Sequence, residues 1–319
     1  ITDDIIHKLN IPKHITLLAK NRVGLKNMYK IISDASTNRF HRGARSVRSF
    51  IEKHRDGLLI GSSCAKGEVF ESALNKDIET LRNRVELYDY LEVQPPSVYA
   101  HLYEDLENGE ELIKDAISRI IKVGEELHIP VVATGDVHHI YPNQVDFRKI
   151  YLRTPMVGGG LHPLNRVNNV PSMHLRTTDQ MLAEFKYLGE KAKEIVVTNS
   201  NLIVDQIESF DLFPKELFIP KDDFFQDKGI ESLNQKVEEM VWTSAKRKYG
   251  VNVPKIVKDR IELELTPILN RGFSNVYYIS HLLVKKSLEN GYLVGSRGSV
   301  GSSLVATLMD ITEIGRAHV

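Results

Sequence analysis

The chain has 319 residues, of which 42% are hydrophobic and 26% charged, which suits one large or two ordinary globular domains. Its 42 basic and 42 acidic side chains cancel, which excludes bulk attraction of the whole chain to nucleic acid and leaves only local patches. The single cysteine, Cys64, excludes a disulfide framework, and without a signal-like start or a long apolar run we expect a cytoplasmic rather than a membrane or secreted protein.

Strand-like and helix-like patterns alternate through the first part of the chain. The predicted strands are HITLLAK (14–20), GLLIGSS (57–63), YDYLEVQPP (88–96) and VVATGD (131–136). The helices between them include VGLKNMYKIISDA (23–35), KGEVFESALN (66–75) and GEELIKDAISRIIKVGEELHI (109–129). Because strands separated by helices form βα units, the pattern predicts an α/β fold with a parallel sheet or barrel.

Helical patterns dominate the rest of the chain. Residues 176–188 and 189–207 have the spacing of two helices, the first with a threonine cap. The segment 213–229 is rich in proline and aromatic residues, which indicates a domain junction. Beyond it we expect helices around 230–249 and 255–270, then a helical segment NVYYISHLLVKKSLENG (275–291) and a stretch rich in glycine and serine.

Both ends of the chain lead us to expect a piece of a longer protein. Ile1 is not an initiator methionine, and the chain begins inside a pattern. The terminal letters EIGRAHV resemble the translation of a common sequencing-library adapter. We therefore predict that residues 314–319 are a non-native tail and leave them out of the fold.

Side chains that bind metals lie at the ends of the predicted strands. His14 opens the first strand region, Cys64 follows the second, and Asp136 with His138 follows the fourth. A D-x-H pair on extended backbone points both side chains to the same side. Imidazole, carboxylate and thiolate together suit zinc or manganese. A lone histidine or cysteine at a strand end is more often structural than a metal ligand, so spacing alone leaves both roles open.

A second candidate site is the stretch GYLVGSRGSVGSSLVATLM (291–309). Small residues here follow the apolar pair Leu293–Val294 and precede a helical pattern. Backbone N–H groups, hydroxyls, an arginine and the start of a helix could converge on a triphosphate. The spacing is neither that of a Walker A motif nor that of a dinucleotide-binding fingerprint. A flexible surface loop is the alternative.

Three segments resemble a known family. HITLLAKNRVGLKNMYKIIS, GLLIGSSCAKGEVFE and VVATGDVHHIYP resemble the later part of the polymerase-and-histidinol-phosphatase (PHP) domain of bacterial replicative polymerases, most closely PolC-type DNA polymerase III α subunits. The resemblance implies an incomplete, distorted (β/α)7 barrel with Zn²⁺ or Mn²⁺ at its mouth. It assigns four metal ligands, His14, Cys64, Asp136 and His138, and the family's earlier ligands have no counterpart here. With this half-set we expect the chain alone to bind metal weakly or not at all.

The glycine-serine stretch resembles the same family. YLVGSRGSVGSS is similar to the palm motif of PolC-type polymerases, which implies the beginning of a polymerase-β-like (C-family) palm domain. By this resemblance, the residues that contact the phosphates of an incoming nucleotide are Gly295, Ser296, Arg297 and Ser299. Lys285 and Lys286, with His281 one helical turn earlier, are candidates for contact with the DNA backbone, and a solvated helix face is the alternative.

The resemblance also implies a domain order and a function. Residues 1–12 would return from an inserted exonuclease, 13–208 would form the C-terminal part of the PHP domain, and 209–313 would form a linker and the N-terminal part of the palm. The complete protein would be a replicative DNA-directed DNA polymerase that extends a primer from dNTPs with Mg²⁺ and proofreads with a 3′–5′ exonuclease. Its partners would be primer–template DNA, a sliding clamp and other replisome subunits.

The palm aspartates would lie beyond residue 312, so we predict that the chain contains no catalytic residue and is inactive alone. Three alternatives remain open from the sequence. The chain could come from a freestanding PHP phosphoesterase, from a non-catalytic scaffold, or from a DnaE-type α subunit. The first alternative predicts a full ligand set in one domain, and the second predicts no nucleotide binding.

Overall fold

The computed structural model describes residues 11–103, 106–216, 218–220, 222–223, 225, 229–295 and 298–312. The chain divides into two compact units, residues 1–212 and 213–319, which we call the first and second units. The predicted tail, 314–319, and nearly all of the predicted return segment, 1–12, lie outside the described residues. None of the helices in the described part is both long and apolar enough to cross a membrane.

Four short strands of the first unit form two small sheets. The strands are β1 (Thr16–Ala19), β2 (Leu58–Gly61), β3 (Leu91–Val93) and β4 (Val131–Ala133). β3 and β4 pair in parallel, as predicted, with Leu91 opposite Val131. β1 and β2 pair antiparallel, which corrects the expectation of a purely parallel sheet. A helix between two strands favours parallel pairing but does not require it, because antiparallel strands also satisfy their backbone hydrogen bonds.

A single bridge between Gly61 and Tyr90 connects the two sheets of the first unit. Among the described residues the strands therefore form two pairs joined at one point rather than a closed barrel. The ends of β2, β3 and β4 are held by helices that pack against the sheets. In chain order, the helices of the first unit up to residue 153 are α1 (Arg22–Ser36), α2 (Arg48–Lys53), α3 (Glu68–Asn75), α4 (Ile78–Val85), α5 (Gly109–Glu126) and α6 (Val145–Arg153).

The core of the first unit forms around α5. Its apolar residues recur at the helical spacing predicted from the sequence, and Ile113, Ile117 and Ile120 are at most 1% exposed. They belong to one cluster with Leu91 and Val93 of β3. Phe70 stacks on the fully buried Tyr99 with ring centroids 4.2 Å apart. This packing supports the carboxyl ends of β2 and β4, which precede the candidate metal ligands Cys64, Asp136 and His138.

Hydrogen bonds also join the beginning of the first unit to its end. The side chain of Asn21 accepts hydrogen bonds from the N–H groups of Val23 and Gly24 and so caps α1. The same side chain donates to Glu208 at 3.2 Å. The Glu208 N–H in turn donates to the carbonyl of Lys20 at 2.8 Å. Residues near 20 and 208 are therefore adjacent in space.

The predicted helices at 176–188 and 189–207 are more interrupted than the sequence indicated. α7 (Thr178–Glu184) begins at the predicted threonine cap, Thr177, and a short 3₁₀ turn follows it. The second predicted helix consists of α8 (Lys191–Lys193), a π-helical turn (Glu194–Thr198) and α9 (Asn199–Val204). The Asn199 side chain donates to the carbonyl of Val131 at the start of β4, at 2.8 Å. The spacing of apolar residues within 189–207 gives no indication of this contact with a distant strand.

The helices predicted for the second unit are confirmed. They are α10 (Leu233–Tyr249), α11 (Lys255–Asn270) and α12 (Ser274–Glu289), followed by a 3₁₀ turn (Gly298–Ser302) and a short α13 (Leu304–Leu308). Their apolar faces share one core, in which Val237, Ile261 and Val305 are fully buried. α13 therefore packs inside this core, although the stretch that precedes it is exposed.

At Gly24 of α1 two backbone segments approach so closely that a larger residue would destabilise the fold. A Cβ atom on Gly24 would collide with the carbonyl oxygen of Gly57, whose own φ is +72°. We expect Gly24→Ala to lower the free energy of unfolding by about 1–3 kcal/mol, measured by urea denaturation followed by circular dichroism. A Cβ on Gly43 meets nothing within 4 Å, so Gly43→Ala is the matched control. Equal effects of the two substitutions would contradict this prediction.

Candidate functional site

His14 and Cys64 are brought together at the edge of the first unit. The N–H of His14 donates to the carbonyl of Lys66 at 3.0 Å, which aligns the segment before β1 with the turn after β2. The Cys64 Sγ consequently lies 3.6 Å from the His14 Nδ1. Burial and the charge of Lys66 lower the pKa of His14, and the negative charge of Asp136 partly opposes this. The thiol and imidazole form one candidate ligand pair.

Asp136 and His138 form a second pair, with a geometry that differs from the prediction. The sequence suggested an extended D-x-H segment, but β4 ends at Ala133 and Asp136 has φ +43°, in the left-handed region. His138 Nδ1 lies 2.8 Å from the Asp136 carbonyl oxygen and 3.7 Å from its Oδ1. The two side chains meet because the backbone turns here, not because of strand alternation.

The two pairs face a common region without forming one metal cluster. Asp136 influences the pKa of His14, and burial followed by the charges of Cys64 and Asp136 raises the pKa of Tyr99. Within the described part of the chain, however, no three histidine, cysteine or acidic side chains are placed to hold one metal ion. The donor types suit zinc or manganese. Their assignment as ligands stays a prediction.

Several charged groups that the sequence did not single out lie around the two pairs. Burial, followed by the charges of Arg148, Lys66 and His138, lowers the pKa of His162. Burial also lowers the pKa of Arg148, while Asp136 opposes the shift. No motif in the sequence marks these residues. The region therefore combines the predicted ligands with basic groups of other segments, Lys66, Arg148 and His162.

A buried carboxylate supports the turn that carries Cys64. Glu92 of β3 is 8% exposed and accepts hydrogen bonds from the Ser63 N–H at 3.1 Å and the Thr134 hydroxyl at 3.2 Å. Ser63 has φ +64°, so this backbone is strained for a serine. Glu92 thus links the residue before Cys64 to the segment before Asp136. An acidic residue at a buried strand position is the sequence signal that could have identified it.

The glycine-serine stretch of the second unit is only partly described. Ser296 and Arg297, two of the four predicted phosphate ligands, lie outside the described residues. Gly295 is exposed, and Ser299 is exposed within the 3₁₀ turn Gly298–Ser302. Leu293, one of the two apolar residues that precede the small residues, is 99% exposed.

The start of α13 is occupied by a carboxylate from another helix. Glu264 of α11 accepts hydrogen bonds from the Ser303 hydroxyl at 2.8 Å, the Val305 N–H at 3.0 Å and the Leu304 N–H at 3.2 Å. Burial alone would raise the pKa of Glu264, but these bonds and Arg260 together lower it. The sequence suggested that the N–H groups at this helix start are available to a phosphate. That expectation is wrong, because Glu264 already uses two of them.

The predicted DNA-contacting lysines lie on α12. Lys285 and Lys286 are exposed, and Lys286 is 3.9 Å from Glu289. His281, considered together with them, has a different role, because its Nδ1 lies 2.6 Å from the carbonyl oxygen of Met309 and its ring is partly buried. Through this contact it fastens α12 to the end of α13. The roles of the two lysines remain predictions.

Two family models match the chain. The model described as PHP domain matches residues 3–123, and the model described as bacterial DNA polymerase III alpha NTPase domain matches residues 235–318. The first range contains His14 and Cys64, and the second contains the glycine-serine stretch together with Lys285 and Lys286.

Curated relatives match almost the whole chain. The protein named DNA polymerase III PolC-type from Bacillus subtilis (strain 168) is 48% identical over 305 residues, 95% of this chain. Relatives of the same name from Listeria monocytogenes and Staphylococcus epidermidis are 47% identical over 305 residues and 42% identical over 316 residues. The chain spans about a fifth of the length of these relatives, 20% of the first two and 21% of the third.

Proposed function

Because this chain belongs to the PolC-type DNA polymerase III family along nearly all of its length, we propose that it is part of a replicative DNA-directed DNA polymerase. The observation that carries the proposal is the 48% identity over 95% of the chain to a PolC-type relative. The PolC-type names of the relatives favour this reading over the DnaE-type alternative. The complete protein would extend a primer on template DNA from dNTPs, with proofreading by a 3′–5′ exonuclease and a sliding clamp as a partner.

In this proposal the second unit begins the palm domain, and its exposed stretch binds the nucleotide. Gly295, Ser296, Arg297 and Ser299 contact the triphosphate through backbone N–H groups, hydroxyls and the guanidinium. Exposure of Gly295 and Ser299 supports this role, since a ligand can reach them. Lys285 and Lys286 contact DNA phosphates, which their exposure on α12 supports. Aspartates outside this chain would hold Mg²⁺ in the complete enzyme, and the metal would supply charge neutralisation for the primer hydroxyl and the leaving pyrophosphate.

The first unit would be the C-terminal part of a PHP-type barrel, extending over residues 13–208. The match of the PHP model to residues 3–123 supports this assignment. Its metal ligands would be His14, Cys64, Asp136 and His138, completed by residues outside this chain. Two contacts support this assignment, that of His14 with Cys64 and that of Asp136 with His138. Each pair would supply half of the ligands that this chain contributes. Zn²⁺ or Mn²⁺ would supply a Lewis acid or a structural centre there.

Primer extension tests the proposal. We expect the complete protein that carries this segment to incorporate dNTPs in a template-dependent manner, and this chain alone to incorporate none. The reason is that the resemblance places the palm aspartates after residue 312. Asp310 does not replace them, since it lies 3.7 Å from Arg247 and has φ +54°. Incorporation by the purified chain would contradict the prediction that the catalytic aspartates lie outside it. Failure of the complete protein to extend a primer would overturn the proposed function.

A further inference from the structure

Ser303, at the end of the glycine-serine stretch, is fastened to α11 through Glu264. Both carboxylate oxygens of Glu264 are used: Oε2 accepts from the Ser303 hydroxyl and the Val305 N–H, and Oε1 accepts from the Leu304 N–H and from Arg260 Nε at 2.5 Å. Its side chain is only 13% exposed. Such charge-assisted bonds are shorter and stronger than neutral ones. The end of the stretch is therefore fixed by a residue about forty positions earlier.

Further contacts hold α13 behind the same stretch. The Ser303 hydroxyl also accepts from the Ala306 N–H at 3.1 Å, which caps the helix. Val305 and Met309 are fully buried, Lys248 donates to the Thr307 carbonyl at 3.2 Å, and His281 contacts the Met309 carbonyl. Ser303 and α13 are thus held by contacts from α10, α11 and α12.

A groove adjoins this attachment. It has a volume of about 290 Å³, and its lining includes Arg260, Glu264, Tyr277, Ser299, Ser302 and Ser303. A free carboxylate in such a place would repel a triphosphate. The charge of Glu264 is offset by Arg260 and by three hydrogen-bond donors, so the negative charge is already neutralised where a phosphate would approach.

We propose that Glu264 is a positioning residue for nucleotide binding, which it serves by holding Ser303 and the start of α13 and thereby setting the place of the 3₁₀ turn Gly298–Ser302, which contains Ser299. It does not touch the nucleotide itself. The inference rests on the proposed function of this stretch as the triphosphate site. Because the attachment affects the bound substrate and the transition state alike, its loss raises KM for dNTP and leaves kcat nearly unchanged.

The test uses the complete polymerase carrying Glu264→Ala, Glu264→Gln or the control Glu262→Ala. Glu262 lies on the same helix and is exposed. In Glu264→Ala we expect KM for dNTP to rise about tenfold with kcat changed less than about twofold. In Glu264→Gln the amide oxygen keeps part of the hydrogen bonding, so the rise in KM is smaller. Glu262→Ala keeps the wild-type KM.

Folding of each complete polymerase variant is checked by circular dichroism and thermal unfolding against the wild type. If Glu264→Ala does not fold, the positioning role is tested by comparing KM for dNTP between Glu264→Gln and Glu262→Ala. An unchanged KM in Glu264→Gln and Glu264→Ala, while Arg297→Ala raises KM, would overturn the positioning role and leave the proposed function intact. A fall in kcat without a change in KM would also overturn it. Absence of primer extension by the wild type would instead contradict the proposed function.

Discussion

Replacement of Arg176 by methionine should lower the free energy of unfolding of the first unit by about 3 kcal/mol. The Arg176 side chain is only 3% exposed, and its Nε donates to Glu184 Oε1 at 2.9 Å. A terminal nitrogen of the same guanidinium donates to the Ser97 hydroxyl at 3.1 Å and to the Ser172 carbonyl at 3.2 Å. Methionine keeps much of the volume but leaves Glu184 without its cation. The Glu184 side chain is 25% exposed, which limits the loss to the lower part of the range for broken buried pairs.

The measurement is urea denaturation combined with hydrogen exchange of peptides from α5, which lies in the core of the first unit. Arg48→Met is the control, because Arg48 and its partner Glu52 are both largely exposed and their pair is 3.0 Å apart. We expect this control to change the free energy of unfolding by less than about 1 kcal/mol. If both substitutions had equally small effects, the buried network around Arg176 would not stabilise the unit as described.

Substitution of Arg297 by alanine in the complete polymerase should lower kcat/KM for dNTP incorporation by a factor of about 10²–10³. The proposed function assigns the guanidinium to the triphosphate, where a bidentate charge-assisted contact is lost on truncation. Arg297→Lys keeps the charge but not the planar fork of donors, so we expect an intermediate loss. Arg271, exposed at the end of α11, provides the control Arg271→Ala, which should behave as wild type.

Steady-state primer extension with a single dNTP gives these values, and a dATP titration gives the affinity without turnover. If Arg297→Ala kept the wild-type kcat/KM, the carry-over of the family's phosphate ligands to this position would be wrong. If Arg271→Ala lost as much activity as Arg297→Ala, the loss would reflect a general need for basic charge in this unit and not a specific contact.

Much of the local structure could be predicted from the sequence, because apolar spacing reflects which side of each element is buried. α5 and the helices of the second unit follow their patterns closely. The direction of β1 relative to β2 could not be predicted, since the same residues satisfy either pairing. The π-helical turn at Glu194–Thr198 also could not be predicted, because the contact of Asn199 with Val131 joins segments far apart in sequence.

The candidate sites were predictable to different degrees. Residue type and strand ends pointed to His14 and Cys64, which the structure brings into contact. The same reasoning misjudged the backbone at Asp136, since a left-handed φ is uncommon even for aspartate, which adopts it more often than most non-glycine residues. Glu264 could not be identified from the sequence at all. Its role arises only where α11 packs beside the start of α13.

The hydrogen bonds of Glu208 with Lys20 and Asn21 join the last residues of the first unit to its beginning. The last large apolar residue buried in this region is Ile203, so a truncation guided by hydrophobic burial alone would stop too early. Such a shortened polypeptide would expose the Lys20 carbonyl and deprive the Asn21 amide, which also caps α1, of its partner. A separately expressed version of this unit therefore has to extend past Glu208 to preserve the junction between its two ends.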